Sequence, residues 1–224
     1  MVIEKMPSFI ATHLDPANRF IEVVCGLIMV LTFTLVGSQL VSGDPSGARK
    51  LLIAALGCNV AWGIIDGVMF VMNGLTERGR RARFVAAVRD ATDEAAALSM
   101  IGRDLDPELE GITTSEERGT LYRSIRKIAL RAAPQAVRIQ KKDLLGALAV
   151  FCLVFLTTLP AIGPFLFIAD PRTALRVSNV ILLLMLFVAG WIWAPYVNGR
   201  RVVGGAAMFF LGGALVALAI VLGG

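Results

Sequence analysis

Apolar residues gather into five long runs instead of alternating with polar ones. The runs Phe20–Val41, Leu51–Asn73, Leu144–Ile168, Val177–Val197 and Val202–Leu222 are almost free of charge and make up half of the 224 residues. Each has about 20 residues or more, enough at a rise of about 1.5 Å per residue to cross a hydrocarbon core of roughly 30 Å. The pattern predicts an all-α polytopic membrane protein with five transmembrane helices, in contact with a lipid bilayer.

The single sizeable polar stretch, residues 74–143, separates the second and third runs. The chain thus divides into residues 1–73 with spans one and two, a helical segment over 74–143, and residues 144–224 with spans three to five. Within the middle segment, Phe84, Val85, Val88, Ala91, Ala95, Leu98 and Met100 follow a helical period, which predicts a helix over Arg80–Gly102. Asp106–Pro107 and Gly111 punctuate it. Thr114 with Glu117 reads as a capping box opening a second helix that carries Leu121, Ile125 and Ile128. Pro134 marks its end or a kink, and a third short helix is expected from Gln135 into span three. Asp15–Pro16 is a start signal for the first membrane helix.

Composition sharpens this picture. Hydrophobic residues are 56% and charged residues only 17%, against roughly 25% charged in soluble domains. Of the 22 Lys and Arg residues, 14 lie in 74–143 and flank spans two and three, so the positive-inside rule makes that segment cytoplasmic. Five spans then put the N-terminus inside and the C-terminus on the opposite side. Arg200–Arg201 agrees with this arrangement; Arg49–Lys50, Arg172 and Arg176 run against it. The net charge of +5 is accordingly read as topology and not as nucleic-acid binding. Met1–Arg19 lacks a secretory signal. Cys25, Cys58 and Cys152 all lie in apolar spans and offer no disulfide framework, and the one histidine, His13, lies outside the spans. No nucleophile–base set or phosphate loop is present, so no enzyme and no permanently bound cofactor are expected.

Two charges stand out. Glu22 and Asp66 are the carboxylates inside spans, and an ionisable group in the bilayer by default marks a substrate or ion path. Helical spacing places Asn59, Trp62, Gly63, Asp66, Met69 and Asn73 on one stripe, and Glu22, Cys25, Gly26, Met29 and Thr32 on another. Counting depth from the cytoplasmic ends, across an outer loop over Ser42–Lys50, sets Met29 level with Asp66 and Glu22 level with Met69. Carboxylate plus thioether suits a borderline transition metal better than Mg²⁺ or Ca²⁺. Asp66, Met29, Met69, Glu22 and Asn59 are therefore the candidate metal ligands. Pro160 and Pro164 serve as a kink or part of a gate in span three. Gly204, Gly205, Gly212 and Gly213, with Met208 among them, permit close helix approach in span five. Trp191, Trp193 and Tyr196 read as an interfacial belt.

The run Cys25-Gly26-Leu27-Ile28-Met29-Val30-Leu31-Thr32-Phe33-Thr34-Leu35-Val36-Gly37 resembles the opening span of the vacuolar iron transporter family and its bacterial relatives. Leu159-Pro160-Ala161-Ile162-Gly163-Pro164-Phe165 is similar to the family's proline-containing segment, and the five-span layout is similar too. The family's first-span aspartate falls at Met29, and its neighbouring asparagine at Ile28. The resemblance implies transport of Fe²⁺ or Mn²⁺ in exchange for protons, by a homodimer in a bacterial-type inner membrane. It also implies a cytoplasmic metal-collecting cluster, for which Asp90 and Glu94, four apart on the expected helix, are the candidates. The alternative is a non-transporting scaffold or sensor whose basic helices bind a partner or anionic lipid; a transporter of another solute is the third possibility.

Overall fold

The computed structural model describes residues 14, 16–40, 45–133 and 136–221. His13, Asp15, residues 41–44 and Pro134 lie outside the described residues. Every regular element among those described is helical: α1 (Pro16–Leu40), α2 (Pro45–Arg89), α3 (Glu94–Leu109), α4 (Ser115–Arg131), α5 (Lys141–Phe167), α6 (Pro171–Trp193), a 3₁₀ turn (Ala194–Val197) and α7 (Arg201–Val221). Three segments are long and apolar enough to cross a membrane, Ile53–Arg89, Lys141–Phe167 and Pro171–Val197, and Arg201–Leu215 is a shorter apolar helix. The protein is an integral membrane protein. It divides into one unit of residues 1–71 with 141–224 and another of residues 72–140, and α2 contributes to both.

In the first unit, Leu27, Val30 and Leu31 of α1 pack with Ala161 of α5 and with Leu182 and Leu186 of α6. Lipid tails are as apolar as leucine, so such contacts are selected by close fit and not by escape from water. Fit is set by small residues. A Cβ on Gly190 would lie 2.3 Å from the Gly204 carbonyl oxygen, and one on Gly204 2.6 Å from the Ala194 Cβ, so α6 and α7 touch through their backbones. Gly205 faces the Phe187 ring and Gly212 faces Leu186. The span-five glycine stripe thus does what its spacing predicts, except at Gly213, which has nothing within 4 Å.

Hydrogen bonds add direction. Ser178 Oγ donates to the Ala161 carbonyl at 2.9 Å, joining α6 to α5, and Thr34 Oγ1 lies 2.6 Å from Asn179 Oδ1, joining α1 to α6. Pro160 and Pro164 sit within a helix that continues to Phe167. Trp193 stacks on Phe20 of α1 with ring centroids 5.3 Å apart, so it is a packing residue of the bundle. Tyr196, 63% exposed, keeps the outward position expected of a belt residue.

The second unit is built from the end of α2 with α3 and α4. Its core is Val88, Ala97, Ile101, Tyr122 and Ala129, with Phe84, Val85, Leu98 and Ile125 against it. The expected single helix over Arg80–Gly102 is broken: α2 ends at Arg89, and Asp93 caps α3 by accepting the Ala96 N–H at 2.7 Å. Asp93 satisfies an orphan donor that an unbroken helix would not have left open. Pro107 does not stop α3, which runs two residues further. The turn comes at Gly111, whose φ of +84° favours glycine. The capping box is formed as predicted, with Thr114 accepting from the Glu117 N–H and Glu117 accepting from the Thr114 N–H. No helix occupies 136–140; α5 starts at Lys141.

Candidate functional site

The polar residues of the membrane unit lie where α1 meets α2. α1 is two-sided: Leu27, Val30 and Leu31 point into the core, while Glu22, Cys25 and Met29, spaced three, four and seven apart, share another face. α2 is seated on α5 by glycine contacts. A Cβ on Gly63 would meet Phe151 at 3.0 Å, one on Gly67 the Ala147 carbonyl at 3.1 Å, and Gly146 lies beneath the Phe70 ring.

Two pairs of side chains face each other across this boundary. The carboxyl groups of Glu22 and Asp66 come within hydrogen-bonding range of one another. Asp66 Oδ2 is buried and receives no hydrogen bond from an N–H or hydroxyl group among the described residues. The Cys25 thiol lies within electrostatic range of both carboxyls. Two turns along α1, the Cys58 thiol donates to the Met29 thioether with the sulfurs 3.4 Å apart. Next to Cys58, Asn59 is fully buried; its Nδ2 reaches the Ala55 carbonyl at 3.5 Å, and its Oδ1 has no partner among the described residues.

The register of the pairing differs from the one obtained by counting depth. Met29 faces Cys58 and not Asp66, and Glu22 faces Asp66 and not Met69, a slip of up to two turns. Depth counting needs a fixed end for each span, and α2 continues without a break to Arg89, so its end could not be placed. Met69 is 49% exposed and Trp62 38%; the predicted stripe on α2 therefore splits into an inner side with Asn59 and Gly63 and an outer side with Met69. Cys58 was not among the candidates, because a cysteine in an apolar run reads as a small hydrophobe.

In the second unit, Asp90, Glu94 and Asp106 are paired with cations and Asp93 with a helix cap. Asp90 and Glu94 fall on either side of the α2–α3 break, so the helical spacing that grouped them is absent. Asp90 pairs with Arg89 at 3.0 Å and Glu94 with Arg126 at 3.2 Å. Asp106 accepts from the Tyr122 hydroxyl at 2.5 Å and lies 3.5 Å from Arg118. Among the described residues, no group of three or more His, Cys, Asp or Glu is placed to hold a metal ion. The membrane cluster instead offers two carboxyls and two sulfurs in pairs.

A comparison with family models matches residues 79–224, about two thirds of the chain, to the VIT family. The matched stretch takes in α3 to α7 and begins after the carboxyl and sulfur pairs, so the cluster rests on its own geometry. No curated protein matches the chain.

Proposed function

The chain belongs to the VIT family, a family of membrane metal-ion transporters, and on that premise we propose that it moves Fe²⁺ or Mn²⁺ through a path between α1 and α2 in exchange for protons. The observation that carries this reading is the approach of Glu22 to Asp66. A hydrogen bond between two carboxyl groups requires a proton between them. Without one, two carboxylates about 4 Å apart repel by about 4 kcal/mol at an effective dielectric constant near 20. Such a pair favours a cation between its oxygens, a proton or a divalent ion, and a divalent ion that enters takes the proton's place. Metal and proton then occupy the same oxygens by turns, which couples their movement in opposite directions. Met29 and Asn59 extend the path past the pair, and Met69, on the outer side of α2, lies at its margin.

The surrounding arrangement belongs to the same reading. Five spans, made from α1, the first part of α2, α5, α6 and α7, place the N-terminus and the basic segment over 74–143 in the cytoplasm and the C-terminus on the other side. The functional unit is a homodimer in a bacterial-type inner membrane. The test is uptake of Mn²⁺ and Fe²⁺ into proteoliposomes under an imposed pH gradient, parent beside Asp66→Asn. Gradient-dependent flux in the parent and none in the variant is expected. Equal flux in both removes the carboxyl pair from the mechanism.

A further inference from the structure

We propose that Met29 and Cys58 form a second ion station, which binds a thiophilic divalent ion through one thiolate and one thioether; the station rests on the metal-transport reading. The two sulfurs approach from different helices to 3.4 Å. With metal–sulfur bonds of about 2.3 Å, two ligands of a tetrahedral ion stand about 3.8 Å apart. The helices need to part by only a few tenths of an ångström for an ion to replace the thiol proton. A linear two-coordinate ion would need about 4.6 Å from the same bond length, which favours Zn²⁺-like or Cd²⁺-like geometry over digonal Cu⁺.

On binding, the Cys58 S–H bond breaks, its proton leaves, and the thiolate and the Met29 sulfur each donate an electron pair to the ion. Sulfur donors discriminate against Mg²⁺ and Ca²⁺. Met29 is seven residues from Glu22, so the station lies about 10 Å along α1 from the carboxyl pair. The path would thus offer a hard level and a soft level in series.

The test uses the full chain, purified in detergent, with Cys25→Ser and Cys152→Ser so that Cys58 is the remaining thiol. Cd²⁺ alone is the probe, followed by the near-ultraviolet thiolate-to-metal absorption band. One ion per chain is expected, undisturbed by a hundredfold excess of Mg²⁺ or Ca²⁺. Adding Cys58→Ser should abolish the band, and Met29→Leu, which keeps the volume, should weaken Cd²⁺ at least tenfold. If Met29→Leu fails to elute as folded protein, Met29→Ile serves the same purpose. No band, a band that survives Cys58→Ser, or full affinity without the Met29 sulfur overturns the station. Sulfur-dependent binding without Mn²⁺ flux in proteoliposomes upholds the station as a binding site and overturns the transport reading. Asp66-dependent flux without the band overturns the station alone.

Discussion

Replacing Gly190 by alanine tests whether the α6–α7 seam is a backbone contact. The new Cβ would sit 2.3 Å from the Gly204 carbonyl oxygen and 2.8 Å from the Met208 Cβ. Ordinary contact begins near 3.4 Å, so about 1 Å of separation is required, and a carbonyl on a rigid helix cannot rotate out of the way. Overpacking costs typically 1–3 kcal/mol, and this geometry belongs at about 3. Alanine recovers about 1 kcal/mol of helix propensity over glycine. The net loss is then about 2 kcal/mol, or about 4–8 °C in melting temperature for a chain of this size. The assay is loss of the monodisperse elution peak after heating in detergent. Gly213→Ala, with nothing within 4 Å, is the matched control on α7 and should be neutral or slightly stabilising. Equal melting of the Gly190→Ala protein and the parent would show that the helices do not approach as described.

Glu22→Gln should leave the protein folded and lower proton-coupled Mn²⁺ flux at least tenfold, because an amide cannot exchange its proton for a metal; proteoliposome flux against external pH reads this. Thr114→Ala removes the α4 cap and should cost about 1 kcal/mol, seen as faster amide exchange in the first turn of α4. Hydrogen bonds from the Thr114 backbone and hydroxyl hold the Glu117 carboxyl below its usual range. Its contribution is therefore present at neutral pH and lost as pH falls through the depressed folded value, so acidification should loosen the same turn in the parent and, less strongly, in Thr114→Ala, which keeps the backbone bond to Glu117 and loses the hydroxyl one. Ser178→Ala deletes the α6–α5 bond to Ala161 and should cost about 1 kcal/mol in the same thermal assay.

Features written within a few residues of one another were legible in the sequence. The Thr114–Glu117 box and the turn at Gly111 depend on local chemistry and formed as read, and the glycine stripe of α7 formed close contacts at Gly204, Gly205 and Gly212 but not at Gly213. The break at Asp90–Asp93 was hidden because Phe84, Val85, Ala91 and Leu98 keep one apolar rhythm across it; both helices bury that rhythm in the same core, so periodicity could not reveal the interruption. The two carboxylates in the first two apolar runs were legible as unusual residues, because charge in an apolar run is costly wherever it points. Their contact with each other was not. It depends on the sliding register of two antiparallel helices, and nothing in an apolar sequence marks where a helix such as α2 leaves the bilayer. Pairing Met29 with Cys58 would have required that register first.

The division of α1 into two faces has a consequence for how such a protein can change over time. Positions 22, 29, 58 and 66 carry the carboxyl and sulfur pairs, and none of them belongs to the fully buried packing that holds the bundle together. Substitution there changes the polar side of α1 and its partners on α2 while leaving Leu27, Val30 and Leu31 untouched. A lineage can therefore exchange oxygen for sulfur on that side one residue at a time, with each intermediate still a folded protein on which selection can act.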